Sequence, residues 1–215
     1  MQIELACVDR TSKHDLILET IFLASDERVS CVALPSSFLG MVDSDFKDHA
    51  TFSSVIDFPY GISDTSVRLH EIILSVRRSA SIIDLVLNPN YIENGDWKNI
   101  RKDIRSCLAI CNENSVELRP VIEYRLFDQK TIIETCRLLY DLGVYSIVTS
   151  TGAMVDDISD NAIISHQITS KSGLNVTACS NIFKPDQISI FEYIGVQGIR
   201  VPSLKTAQIL LDNGV

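Results

Sequence analysis

Short apolar, β-branched runs alternate with segments of helical periodicity along the whole chain, and this alternation restricts the fold more than any other feature. The runs fall at 3–9, 29–35, 51–59, 81–88, 116–124, 145–150, 174–180 and 198–203. Helical periodicity occupies 13–24, 37–42, 63–78, 96–113, 130–142, 161–171, 185–194 and 204–211. The unit therefore repeats roughly every 25 to 30 residues. The strand runs are continuously apolar, as strands covered on both faces are. Asp64, Asn94, Asp128, Ser159 and Lys184-Pro185 stand where helices should start, and Gly143, Gly173 and Gly195 stand just past helix ends. This many repeats of the unit predict a closed parallel (β/α)₈ TIM barrel, a single α/β domain over 1–215. An open doubly wound sheet normally has fewer units and a glycine-rich first turn, and no G-x-G-x-x-G is present.

Charge narrows the partners. The formal net charge of −9 repels nucleic acid phosphates and anionic lipid, so neither nucleic acid nor membrane is expected as a partner. The same field disfavours a phosphorylated substrate unless positive charge is focused locally. No apolar stretch approaches the ~18 residues of a membrane span, and the first residues have no basic, signal-like character. The six cysteines have no C-x-x-C spacing and sit mostly in apolar runs. They read as buried, reduced thiols of a cytoplasmic protein, with no metal site and no cofactor expected.

In such a barrel, chemistry belongs at the C-terminal ends of the strands. Those ends carry Asp9, Pro35, Asp57, Asp84 with Asn88, Glu123 with Arg125, Val148 with Thr149-Ser150-Thr151-Gly152, Cys179-Ser180, and Arg200 with Pro202-Ser203. Carboxylates at several successive strand ends are unusual for an interior lined by branched aliphatics, and they point to a solvated or functional mouth.

Several of these segments resemble the deoxyribose-phosphate aldolase family. Ile82-Ile83-Asp84-Leu85-Val86-Leu87-Asn88 is similar to its fourth-strand signature, and Arg119-Pro120-Val121-Ile122-Glu123 to its fifth, with Arg119 at a usual lysine. Val148-Thr149-Ser150-Thr151-Gly152 resembles its Lys-Thr-Ser-Thr-Gly, and Asp9-Arg10-Thr11 its Asp-His-Thr. The segment 32–35 and Ile56-Asp57-Phe58-Pro59-Tyr60-Gly61 fall at its second-strand proline and its Phe-Pro-x-Gly. The resemblance implies a class I aldolase barrel, often dimeric. In that scheme a sixth-strand lysine forms an imine, a seventh-strand lysine lowers its pKa, and the fourth-strand aspartate, here Asp84, relays protons.

At both lysine positions the chain departs from that pattern. Val148 stands at the imine-forming position and Cys179 at the second lysine. The two phosphate-cradling loops are altered as well, to Ser180-Asn181-Ile182-Phe183 and to Pro202-Ser203-Leu204-Lys205. Pro202 removes a backbone donor where glycine would supply one. The reading that follows is a barrel without imine chemistry, repurposed to bind a protein partner or a small molecule. Asp9, Glu123, Thr149, Ser150, Thr151, Gly152, Ser203 and Lys205 are the candidate ligand contacts. The alternative is an enzyme with altered chemistry, using Asp84 with a relocated amine such as Lys205 or the thiol of Cys179.

Overall fold

The computed structural model describes residues 1–9, 11–43, 46, 49–180, 182, 184–201 and 203–212. Arg10, Asn181, Phe183 and Pro202, all named above, lie outside the described residues. The strands are β1 Gln2–Ala6, β2 Val29–Pro35, β3 Phe52–Ile56, β4 Ile82–Val86, β5 Glu117–Val121, β6 Ser146–Val148, β7 Asn175–Cys179 and β8 Gly198–Val201. They pair in parallel in sequence order, and β8 returns to β1, closing the barrel. The helices are α1 His14–Leu23, α2 Ser36–Leu39, α3 Thr65–Arg77, α4 Pro89–Glu93, α5 Trp97–Glu113, α6 Gln129–Asp141, α7 Ile158–Ser172, α8 Ser189–Ile194 and α9 Leu204–Asp212.

Helix starts follow local chemistry. Asn88 accepts from the backbone N–H groups of Asn90 and Tyr91 at 2.9 and 3.3 Å, and Pro89 follows it, so a short α4 forms where the periodicity gave none. Asn94 consequently ends α4 instead of starting a helix, and Asp96 caps α5. Asp157, upstream of Ser159, caps α7. Gly173 and Gly195 do end α7 and α8 in the left-handed conformation. The 185–194 helix splits into a 3₁₀ turn, Pro185–Ile188, and α8.

Strands stop earlier than the apolar runs because the chain turns at the barrel rim. After β3, Asp57 takes φ 57° and leads into the Phe58–Gly61 turn. Arg68 of α3 braces that turn from beneath. Its guanidinium is 1% exposed and bonds Asp57 at 2.8 Å, Asp103, the Gly61 carbonyl, and the Val86 carbonyl at 3.1 Å. A buried arginine with all three nitrogens hydrogen-bonded is a rigid cross-link between α3, α5 and the rims of β3 and β4. Gly61 has φ 66°, and a Cβ there would collide with the Leu87 carbonyl oxygen, so no other residue fits the turn. Between barrel and helices lies the main apolar layer, including Ile72, Ile104, Leu139 and the fully buried Cys107 and Cys111. Among the described residues, no helix is long and apolar enough to cross a membrane.

Candidate functional site

Because side chains alternate along a strand, the barrel interior is layered. The middle layer is ionic. Asp84 and Arg119 are register partners on β4 and β5, and Glu4 and Arg200 are register partners on β1 and β8. Their side chains meet across the lumen in a closed quartet. Arg119 reaches Glu4 at 2.6 Å and Asp84 at 2.7 Å, while Arg200 reaches Glu4 at 2.7 Å and Asp84 at 2.8 Å. Thr177 of β7 donates to Glu4 at 3.3 Å. All four charged residues are buried, and their formal charges sum to zero.

Burial alone would raise the carboxyl pKa values of this quartet. The positive charges of Arg119 and Arg200 outweigh it, lowering Glu4 and bringing Asp84 down to about 2. Both arginines are correspondingly held in their charged form by the carboxylates. Asp84 is therefore a fixed anion at the centre of a salt-bridge network. The strand-end reading placed it at the mouth; it lies mid-strand, fully buried, with its oxygens turned to two guanidiniums.

The upper layer, two residues further along each strand, is apolar. Val86, Val121 and Val148 stand side by side in register on β4, β5 and β6, and Cys179 of β7 joins them. Ala6, Ala33 and Val55 fill the other side. Phe58, from the turn after β3, packs onto both groups and covers the barrel top. Val148 is 0% exposed and Cys179 1%. Burial pushes the Cys179 thiol up to about 12, so the thiolate that a nucleophile requires does not form near neutral pH.

A third group lies at the rim above β5, β6 and β7. Glu123 accepts from the Thr151 backbone N–H at 3.1 Å and its hydroxyl at 2.6 Å. Its other carboxylate oxygen, Oε1, is buried with no hydrogen-bond partner among the described residues. Thr149 accepts from the Cys179 N–H at 3.1 Å and Ser150 from the Gly152 N–H at 2.9 Å, so the Thr149–Gly152 turn is folded onto its own neighbours. Asp156, in the loop before α7, accepts from Tyr124 and Ser180 and from Asn161 at 3.2 Å. Burial and the bond to Asp156 raise the Tyr124 phenol pKa.

The structure thus brings Glu123 and the 149–152 turn together and separates them from the other candidates. Asp9 is exposed and holds Thr11 in a local turn at 3.0 and 3.1 Å. Ser203 accepts from the Thr206 N–H at 3.4 Å at the start of α9, and Lys205 is exposed on the first turn. Glu4, Tyr124 and Asp156 were not singled out from sequence. A signal for Glu4 existed: an acid inside the first apolar run, flanked by Ile3 and Leu5 and in the same inward parity as Ala6. For Asp156 there was none, because it joins the rim only through the path of its loop. Among the described residues, no group of three His, Cys, Asp or Glu is placed to hold a metal ion.

Comparison with known proteins agrees with the resemblance. No family model matches the chain. Curated relatives named deoxyribose-phosphate aldolase include those of Mycoplasmopsis pulmonis, 34% identical over 121 residues, and Mannheimia succiniciproducens, 32% identical over 126. These alignments cover 56% and 58% of this chain and 52% and 55% of the relatives, so the chain matches about half the length of each. Among solved structures, the deoxyribose phosphate aldolase of Aeropyrum pernix superposes with a TM-score of 0.87 at 17% identity, covering 99% of this chain and 89% of that one. A putative deoxyribose-phosphate aldolase from Coccidioides immitis gives 0.85 at 17%, covering 99% and 84%. The barrel is the fold of those structures, and over about half its length the chain is similar to the curated aldolases.

Proposed function

We propose that this chain, similar over about half its length to deoxyribose-phosphate aldolases, no longer forms an imine and serves as a binding or scaffold protein. The observation that carries the reading is Val148, fully buried in the apolar upper layer at the position where the resemblance puts the reactive lysine. A valine side chain has no amine to add to a carbonyl. Its surroundings support the same reading. Cys179 stands at the second lysine position as a buried, protonated thiol, Phe58 covers the layer, and Asp84 is committed to two arginines. A proton relay has to change its protonation during turnover, and the quartet opposes that near neutral pH. What the rim offers instead is carboxylate, Glu123 with Asp156, suited to a neutral or cationic small ligand or to a protein partner.

The test is to incubate the protein with deoxyribose 5-phosphate, and separately with acetaldehyde, in the presence of borohydride, and to measure intact mass. The expected result is no mass increase, beside an active aldolase that gains one. An adduct mapped to a single lysine, Lys205 before any other, would overturn the proposal and favour the relocated amine.

A further inference from the structure

We propose that the crevice between α6 and α7 binds a small, uncharged heteroaromatic molecule through a ring N–H. The inference does not depend on the reading of the barrel interior.

A 3₁₀ turn, Tyr124–Leu126, lies between β5 and α6. Tyr124 reaches from it to the loop before α7, where its hydroxyl donates to Asp156. The two loops are thereby tied together, and a cavity of about 380 Å³ is bounded by this turn and the two helices. Asp160, Ile163, Ile164 and Gln167 line it from α7, at spacings that put all four on one helical face. Gln129 and Ile132 line it from α6. The volume is that of a small-molecule site.

Three features select the occupant. The first is an unanswered acceptor. Gln167 lines the cavity, and its side-chain Oε1 is buried with no hydrogen-bond partner among the described residues. Buried amide oxygens are nearly always bonded, so a ligand that presents an N–H satisfies an atom the fold leaves open. The second is the wall. Tyr124 and Phe127 meet the buried Ile132 and Ile164, and Ile163 stands 58% exposed on the α7 side. Aromatic side chains hold another ring edge-on or offset, at the separations a crevice of this size allows. The third is neutrality. Arg125 and Asp160, the two charged residues of the lining, pair with each other at 3.1 Å. An ammonium would meet a carboxylate already paired, and a sugar would leave the apolar walls unmatched.

Indole, N-methylindole and benzofuran are probes of similar shape, of which indole alone carries the N–H. Titrated into isotope-labelled protein and followed by amide NMR signals, indole should shift residues 124–132 and 160–167, the Gln167 side chain among them. Its Kd is expected on the order of 100 µM, as for a ligand of so few atoms. The other two should bind about ten-fold more weakly, because neither answers Oε1. Gln167→Leu should bring the three affinities together, and Ile163→Glu should weaken all three. No saturable shift of these residues below about 5 mM indole would overturn the proposal. So would equal affinities for the three probes in the native protein, or a preference for indole that survives Gln167→Leu.

Discussion

The middle and upper layers of the barrel interior are neighbours made of opposite materials. Arg119 and Val121, Asp84 and Val86, and Thr177 and Cys179 are each one inward step apart on the same strand, about 7 Å. Below that step every side chain of the quartet is charged and answered, while above it the side chains are aliphatic, thiol or aromatic. An imine aldolase would need the reverse emphasis, with a reactive amine in the upper layer and titratable groups free to exchange protons beneath it. The difference teaches that charge inside a barrel is not in itself a sign of chemistry. The geometry of its partners decides whether it can move a proton or only hold a shape.

Removing one arginine should break this contrast most severely. Arg119→Met leaves Glu4 and Asp84 facing a single guanidinium in a space closed to water. Losing one partner of a buried pair costs about 3 to 5 kcal/mol, because the remaining charge is uncompensated. Urea unfolding should register a loss of that size, and a change under about 1 kcal/mol would mean that water or rearrangement relieves the layer. Titration probes the same layer more gently. Asp84 has a lower pKa folded than unfolded, so its contribution is present above pH about 4 and is lost as pH falls toward about 2. Glu4 is shifted in the same direction. Acid unfolding followed by circular dichroism should therefore show its steepest loss of stability below pH about 4, with a shallower slope in Arg119→Met.

Phe58 tests the upper layer. It is half-buried, so Phe58→Ala should cost about 2 kcal/mol, less than a fully buried phenylalanine. The sharper readout is access. In the native protein all six cysteines are buried, and a maleimide should label none of them quickly. Phe58→Ala should expose Cys179 first, identified by peptide mapping. Labelling that remains slow would show that the valines alone seal the layer.

The alternation of apolar run and helical period was enough to give the barrel, because strand and helix periods are properties of the chain alone. Local caps were legible in part: Asp128 accepts from the Thr131 N–H at 2.8 Å as read, whereas Asp96 and Asp157, equally local, were passed over for their neighbours Asn94 and Ser159. Strand ends were overrun because 51–59 is apolar beyond the point where Asp57, held by Arg68, turns the chain. That bond joins residues on different elements, and no local pattern announces it. For the same reason Asp84 was legible as a distinctive residue but not as a structural one. Its meaning depends on Arg200, 116 positions away. Inward parity would have grouped Glu4, Asp84 and Arg119, since each stands two residues before an upper-layer residue, Ala6, Val86 or Val121.

The smallest effect is expected at the rim, and it separates a ligand contact from a folded-in strut. Glu123→Gln retains an acceptor for Thr151 and replaces the other oxygen with a donor, or the reverse, depending on the amide orientation. Because Oε1 has no partner among the described residues, the substitution removes a buried charge without breaking an ion pair. Stability should change by no more than about 1 kcal/mol, whereas Thr151→Val, which deletes the 2.6 Å bond, should lose about 1 to 2 kcal/mol. Thermal unfolding of the two variants side by side makes the distinction. If Glu123→Gln proves the more damaging, the carboxylate charge itself holds the 149–152 turn, and the rim belongs with the ionic quartet as architecture. If it is neutral while Thr151→Val is not, the charge is dispensable to the fold, and Glu123 is the residue to follow in any search for a ligand.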